Sequence, residues 1–196
     1  MTKFGNRKVT YTGNMAQASA VDSKDIPALI AVLASNDSLA RQQARETLVG
    51  IGKPAVTPLM EALAATASNF HVRWEAAKAL SEFEDPETAP VLVTALEDES
   101  FGVRWLAAEG LISLGQDALA PLLEALVQRS DSAALREGAH HVLRMLNQGD
   151  LHTQIAPVLA ALEDIEPIVQ VPVAAHAALD LVKKRRNEIH QATKRT

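Results

Sequence analysis

Two phrases of the sequence are nearly identical and begin 31 residues apart. "HVRWEAAKAL" spans residues 71–80 and "GVRWLAAEGL" spans residues 102–111, and together they hold both tryptophans of the 196-residue chain. Looser versions keep a similar spacing, with "ARQQARETL" at 40–48, "LREGAHHVL" at 135–143 and "VPVAAHAAL" at 171–179. A near-constant period of this size indicates a chain built from stacked repeats.

A second phrase alternates with the first and supports the same period. Its copies share a proline at the head of a leucine-rich run, as in "IPALIAVL", "TPLMEAL" and "APLLEAL". The prolines are separated by 31, 32, 31 and 36 residues, and they are Pro27, Pro58, Pro90, Pro121 and Pro157. Because two independent columns agree on the spacing, the sequence predicts five repeats.

Both phrases are typical of helices. A proline suits the first turn of a helix, and an Asp or Ser before the second phrase can cap free N–H groups. Glycines such as Gly52 and Gly115 supply stops. Aromatic residues make up only 4% of the chain while Ala and Leu dominate, which favours close-packed helices over sheets. Each repeat is therefore predicted to contain a helix A and a helix B, and neighbouring repeats must stack to bury their apolar stripes.

These phrases resemble the short HEAT-like repeats of the phycobilisome-lyase type. The resemblance rests on the helix A prolines and on the "VRxxAAxAL" spelling of helix B, whose arginine column is Arg41, Arg73, Arg104 and Arg136. It implies an all-α fold, a right-handed α-solenoid of about five antiparallel helix pairs, in which helix B lines the concave face. It says little about function, because the repeat motif consists of packing residues.

The domain boundaries follow from the repeats. The solenoid is expected over residues 23–190, with repeats at about 24–52, 54–84, 86–115, 117–147 and 153–190. In the last repeat Pro172 replaces the arginine and "EDIEPIVQ" lengthens the turn, so this repeat is expected to be an atypical cap. A flexible N-terminal segment is expected over residues 1–22, and a basic tail over 191–196, where "KKRRNEIHQATKRT" would follow the last helical run.

Charge and composition narrow the classes of partner. Residues 21–182 hold 10 basic and 23 acidic residues, a net charge of −13, while both ends are basic. An acidic body repels phosphate backbones, so nucleic acid is not the expected partner. The absence of cysteine excludes disulfides and thiolate sites, and no apolar run reaches the length of a membrane span. We therefore expect a cytoplasmic protein with no membrane association.

A helical wheel places the tryptophans away from the core. With Val72 at zero, the apolar positions of helix B centre near about 40°, whereas Trp74 falls at about 200°, and Trp105 has the same phase in its own repeat. The same reading puts the column of Arg45, Ala77, Ala108, His140 and His176 outside the core. The predicted partner-binding residues on the helix B face are Trp74, Trp105, Ile112, Lys78, Glu109, Glu137, His141 and Arg144. The alternative is that each Trp packs across the neighbouring helix B.

The arginine column lies at the edge of the buried stripe. One interpretation is functional, in which the arginines form a row that binds an anion. The other is structural, in which each guanidinium binds an acidic side chain or a backbone carbonyl of an adjacent turn. The structural reading is the more economical, because Asp37, Glu99 and Asp131 stand nearby in sequence.

No catalytic pattern stands out. Glu137, His140 and His141 form the only His-rich cluster, but the Glu-x-x-His spacing of carboxylate-bridged metal sites occurs once rather than twice. No catalytic residue, metal or cofactor is therefore predicted. The expected function is a non-enzymatic scaffold that binds a protein or peptide on the concave helix B face. The alternatives are a bilin-lyase-like enzyme or chaperone subunit and, from Trp105 one turn before Glu109, an alkylpurine DNA glycosylase-like groove.

Overall fold

The computed structural model describes residues 25–65 and 69–193. Ordered elements in these ranges are α-helices and short 3-10 turns, which agrees with the all-α prediction. The predicted N-terminal segment, residues 1–22, and the tail residues 194–196 lie outside the described residues. The helices are α1 (Ile26–Val32), α2 (Ser38–Ile51), α3 (Val56–Ala64), α4 (Phe70–Phe83), α5 (Ala89–Ala95), α6 (Phe101–Leu114), α7 (Leu119–Gln128), α8 (Ala133–Leu146), α9 (His152–Leu162) and α10 (Pro167–Thr193).

Local chemistry sets the helix ends much as the sequence predicts. The Asp37 carboxylate accepts the N–H groups of Leu39 and Ala40 at the start of α2, and the Ser132 hydroxyl accepts that of Leu135 in α8. At the C-terminal end of α6, Gly115 has a φ of 60°, a left-handed conformation that glycine adopts at little cost. The caps and the glycine stop therefore divide the chain into helix pairs.

The first four repeats form two layers with a shared core. Helices α1, α3, α5 and α7 form layer A, and α2, α4, α6 and α8 form layer B, with each helix packed on its neighbours in the same layer. The leucines that close the repeated phrase are buried between the layers, at 0–1% exposure for Leu48, Leu80, Leu111 and Leu143. This arrangement is the α-solenoid that the two sequence columns predict.

The last repeat breaks the alternation. Helix α10 packs along α7 in layer A, and α9 packs against α8 and α10. At one end of this contact the buried Ser130 hydroxyl donates to the Ile168 carbonyl (3.1 Å), and at the other Lys183 Nζ lies 2.9 Å from Glu124 Oε1. Helix α10 therefore runs antiparallel to α7. The expectation that "VPVAAHAAL" continues layer B, with His176 in the column of His140, is wrong.

Helix α10 is also longer than the sequence reading allows. It continues to Thr193, so residues 191–193 belong to the helix rather than to the predicted tail. Pro172 lies in its second turn, where the ring removes one backbone donor without ending the helix. The apolar face of α10, with Val171, Ala175, Ala178 and Val182, is buried in the core.

One segment is apolar and long enough to cross a membrane by length and composition alone. It covers Phe101–Gln128, and 44% of its most apolar window is buried inside the fold. In the structure this segment is two helices, α6 and α7, that are separated by a 3-10 turn at Gly115–Ala118. Its leucines, including Leu111, Leu119 and Leu122, fill the core between the layers.

Candidate partner-binding surface

Three arginines of the repeated phrase position the start of helix B. Arg41 Nη1 donates to the Ser35 carbonyl (2.8 Å), and Arg104 Nη1 donates to that of Asp98 (2.8 Å). Arg136 Nη1 makes the same bond to the carbonyl of Ser130, also six residues earlier. Each of these guanidinium groups thus joins helix B to the turn that precedes it in its own repeat.

Arg73 also reaches into the next repeat. Its side chain is 3% exposed, its Nε lies 2.7 Å from Asp98 Oδ2, and its Nη2 lies 2.7 Å from Glu99 Oε1. The hydrogen bond with Asp98, followed by that with Glu99, raises the pKa of Arg73 above its usual value against the opposing effect of burial. The Arg73 contacts therefore connect α4 to the turn between α5 and α6.

A buried ion-pair network that the sequence reading missed joins α2 to α4. Arg45 and Glu75 are 6% and 3% exposed, with Arg45 Nε 3.1 Å from Glu75 Oε2. Arg41 Nε lies 3.4 Å from the other oxygen of Glu75, and Arg45 Nη1 lies 2.6 Å from Glu82 Oε1. The prediction that the Arg45 column lies outside the core is wrong for Arg45, Ala77 and Ala108, which are buried, whereas His140 is partly exposed and His176 is exposed. Small apolar residues at equivalent positions, Ala77 and Ala108, are the sequence signal that would have predicted a buried Arg45.

The two tryptophans occupy different environments. Trp105 is 47% exposed, whereas Trp74 is half-buried and packs against the core. A Cβ added to Gly102 would lie 3.3 Å from Trp74 Cδ1, so the Trp74 indole covers the backbone of α6. Lys78 Nζ lies 5.0 Å from the Trp74 ring centroid. Trp74 therefore packs across the next helix B, as the alternative interpretation predicts. Trp105 remains on the surface.

Trp105 belongs to an aromatic cluster that spans α6 and α8. The His141 ring centroid is 5.0 Å from that of Trp105, and the Phe101 ring centroid is 6.4 Å from it. His141 Nε2 lies 3.4 Å from Glu109 Oε1, so this imidazole contacts two side chains of α6. Phe101 is 68% exposed, which leaves an apolar surface open beside the polar pair.

A groove between α6 and α8 borders this cluster. It encloses about 200 Å³ and is mostly apolar in lining. Its walls include the aromatic cluster, and its rim carries Arg104 and Glu137. Gly138 allows α8 to pack closely against Leu96, because a Cβ at position 138 would lie 2.9 Å from Leu96 Cδ2. The groove can accept an apolar side chain at its floor and hydrogen-bonding groups at its rim.

Phe101 directly precedes the repeated phrase, so a pattern built on that phrase does not include it. Phe70 precedes "HVRW" as Phe101 precedes "GVRW", so both repeats contain Phe-x-x-x-Trp. Residues four apart lie on one face of a helix, which is the signal that would have placed Phe101 beside Trp105. Phe70 is itself 42% exposed at the start of α4.

The other predicted partner-binding residues are spread over the surface of layer B. Glu137 and Arg144 are exposed on α8, and Glu109 is partly exposed beside His141. Ile112 is half-buried and packs against the core, so it is not the open apolar anchor that the wheel indicates. Lys78 lies beside Trp74, near a second cleft between α2 and α4.

Three histidines, His140, His141 and His176, each contact a different acidic residue. His140 Nε2 lies 2.9 Å from Glu163 Oε1, whereas His141 turns to Glu109. His176 lies on α10, 3.9 Å from Asp180 Oδ2. Over residues 25–65 and 69–193, no three side chains of His, Cys, Asp or Glu converge into a group that could hold a metal ion.

Comparison with known proteins agrees with this fold. The family described as HEAT repeats matches residues 26–111 and, in a second alignment, residues 58–144. Among solved structures, the chain is similar to one from the complex of CpcE and CpcF of phycocyanin lyase from Nostoc sp. PCC7120. The identity is 30% and the TM-score 0.55, and the alignment covers 80% of this chain and 99% of that one. No curated protein matches the chain.

Proposed function

The chain belongs to the HEAT-repeat family, in its phycobilisome-lyase type, and we propose from this premise that it binds a protein or peptide partner on layer B. We name the exposed surface of α2, α4, α6 and α8 the B face. The observation that carries the proposal is the exposed pair Phe101 and Trp105 beside the α6–α8 groove. Solenoids of this kind use such extended surfaces for binding.

The aromatic pair has the properties of a binding hot spot. Trp is among the residues most enriched at energetically dominant interface positions, and such positions sit next to pockets that exclude water. Phe101 and Trp105 are 68% and 47% exposed, although burying them inside the chain would have been favourable. We therefore assign them as the apolar anchors of the interface.

The polar residues around the aromatic pair orient the bound partner. Arg104, Glu137 and His141 line the groove beside the aromatic pair, and Glu109 contacts His141. Arg144 and Lys78 extend the charged surface along layer B. Mixed charges of this kind favour one register of a bound segment over others and contribute less to raw affinity than the apolar anchors do. The partner that fits best presents an apolar side chain for the groove, flanked by residues of both charge signs.

The test uses the two tryptophans as separate reporters. In a Trp74→Phe variant the only remaining indole is Trp105, so its emission reports on the α6–α8 groove. Peptides selected from a displayed library against the wild-type chain are titrated into this variant. We expect red-shifted, acrylamide-accessible emission that moves to the blue on binding, because the partner removes water from the indole.

The matched controls locate the interface. Phe101→Ala should weaken binding of the selected peptides at least about tenfold. This corresponds to a loss of about 1.4 kcal/mol or more of binding free energy when the anchor is removed. Val91→Ala changes a partly buried apolar residue of α5, in layer A, and should leave the affinity unchanged. Peptides that bind Phe101→Ala as tightly as the wild type would contradict the proposal.

A second candidate is a subunit of a lyase-like enzyme. The observation that favours it is the similarity to a phycocyanin lyase over 80% of this chain. The test is to mix the chain with phycocyanin from which the bilin has been removed, with and without free bilin, and to follow the visible absorbance. Covalent attachment of the bilin, or a complex that requires Trp105, would extend the proposal to this activity. Binding of selected peptides without either result would leave the scaffold function alone.

A glycosylase-like use of the groove has less support. Such chemistry needs an open aromatic face and a free carboxylate beside it. His141 already lies against the Trp105 indole and contacts the Glu109 carboxylate, so both groups are partly engaged in contacts within the chain.

A further inference from the structure

The outward side of α10 carries an apolar stripe that nothing in the described chain covers. Val169, Val173 and Leu181 are 59%, 69% and 49% exposed, and Ala177 between them is also exposed. These four residues recur at intervals of four and form one ridge of the helix. We name them the α10 stripe. Ile165, which is 98% exposed, adds to the apolar surface at its N-terminal end.

Such a stripe is unusual at the end of a repeat stack. Terminal repeats normally present a polar outer face, which keeps the open end of the solenoid in water. The inward side of α10 already supplies the core with Val171, Ala175 and Val182. Within residues 25–65 and 69–193 the stripe therefore serves no internal packing, and a contiguous exposed apolar surface of this kind indicates an interaction site.

The polar residues along the stripe are arranged symmetrically. Glu166, which directly precedes α10, and Lys184 lie at the two ends of the stripe, nine residues before and nine residues after residue 175. Gln170 and Asp180 flank the stripe at equal distances from its midpoint near residue 175. The end of the stripe near Glu166 is acidic, and the end near Lys184 is basic.

We propose that a second copy of this chain covers the α10 stripe, with the two α10 helices antiparallel about a two-fold axis near residue 175. Under this symmetry Val173 faces Ala177 of the other copy, and Val169 faces Leu181. Glu166 faces Lys184, which pairs the acidic end of each helix with the basic end of its partner. An interface of this kind is isologous, so every contact occurs twice.

A second copy fits better than a dissimilar partner because the surface complements itself. The antiparallel pairing joins apolar residues to apolar residues and also allows the amide of Gln170 to donate to the carboxylate of Asp180 in the other copy. His176 lies beside Asp180 within its own helix (3.9 Å). A parallel pairing would bring like charges together at both ends.

The first test is the oligomeric state of the whole chain, measured by sedimentation velocity over about a hundredfold range of concentration. We expect a reversible dimer. Val173→Asp places two charges at the apolar centre of the interface, and this should raise the dissociation constant at least about a hundredfold. Leu39→Asp is the matched control, because Leu39 is 58% exposed on α2, away from the stripe. It should leave the dimer intact.

A charge exchange tests the antiparallel pairing itself. Glu166→Lys alone and Lys184→Glu alone should each weaken the dimer, and the double variant should restore it. A wild-type chain that stays monomeric throughout would overturn the proposal. So would a dimer that tolerates Val173→Asp, or a double variant no better than either single one. The B-face proposal is separate, because Phe101→Ala should not change the oligomeric state.

Discussion

The imidazole of His141 on α8 lies against the indole of Trp105 on α6, with ring centroids 5.0 Å apart and planes inclined by 30°. The same imidazole contacts the Glu109 carboxylate, one helical turn further along α6. Trp105 is thus held in place while 47% of it stays exposed. A side chain that is already ordered loses less entropy when a partner binds, which suits the indole to its proposed role.

The first prediction separates the two tryptophans. Trp74→Ala removes an indole that packs over Gly102, so it should cost about 2–3 kcal/mol of the free energy of unfolding. Trp105→Ala removes an indole that is 47% exposed and should cost about 1 kcal/mol or less. Urea unfolding followed by circular dichroism measures both values. Equal losses would mean that Trp105 is a packing residue and would remove the basis of the binding proposal.

The second prediction concerns the buried pair between α2 and α4. Glu75→Gln removes the buried counter-charge of Arg45 and leaves it only the more exposed carboxylates of Glu82 and Glu46, so it should cost about 3 kcal/mol. Glu87→Gln is the control, because Glu87 meets Lys53 at 4.0 Å with both side chains exposed. It should change stability by less than about 0.5 kcal/mol. A similar small change for both variants in urea unfolding would contradict the assigned role of Glu75.

The third prediction compares two helical glycines. Gly138→Ala would put a Cβ 2.9 Å from Leu96, a fully buried side chain, and should destabilise the chain by about 1–2 kcal/mol despite the better helix propensity of Ala. Gly50→Ala has no atom within 4 Å of its Cβ and should stabilise by about 0.5–1 kcal/mol. Thermal unfolding checks both, and a rise in melting temperature for Gly138→Ala would show that α8 can move away from Leu96.

The repeats could be read from the sequence because they rest on short-range rules. A first-turn proline, a capping Asp37 and a closing leucine each act within one helix pair, so a single spacing predicts them in the first four repeats. In the fifth repeat the prediction is wrong for the proline, because Pro157 lies inside α9. These rules predict which residues of α2, α4, α6 and α8 face layer A. The burial of the closing leucines Leu48, Leu80 and Leu111 agrees with these rules.

The differences between equivalent positions could not be read in this way, because they depend on neighbouring helices. A helical wheel considers one helix at a time, so it assigns Trp74 and Trp105 the same angle relative to the core. The structure separates them because Trp74 meets Gly102 whereas Trp105 meets His141. Arg45 was misplaced for the same reason, since its partner Glu75 lies in the next repeat.

The last prediction tests the packing of α10, where the sequence pattern and the structure disagree most. The pattern places α10 beside α8, with His176 next to His140. The structure places it beside α7, where Lys183 Nζ lies 2.9 Å from Glu124 Oε1.

Because the chain has no cysteine, the two arrangements can be tested with pairs of introduced ones. Glu124→Cys with Lys183→Cys should cross-link rapidly within one chain through a short bifunctional maleimide, since the two side chains are in contact. His140→Cys with His176→Cys should react slowly, because His140 lies beside Glu163, and His176 is nine residues, or about 14 Å of helix, beyond the start of α10. Intact mass and peptide mapping of monomeric product measure the two yields. Fast cross-linking of the histidine positions alone would restore the regular alternation of layers and would remove α10 from layer A.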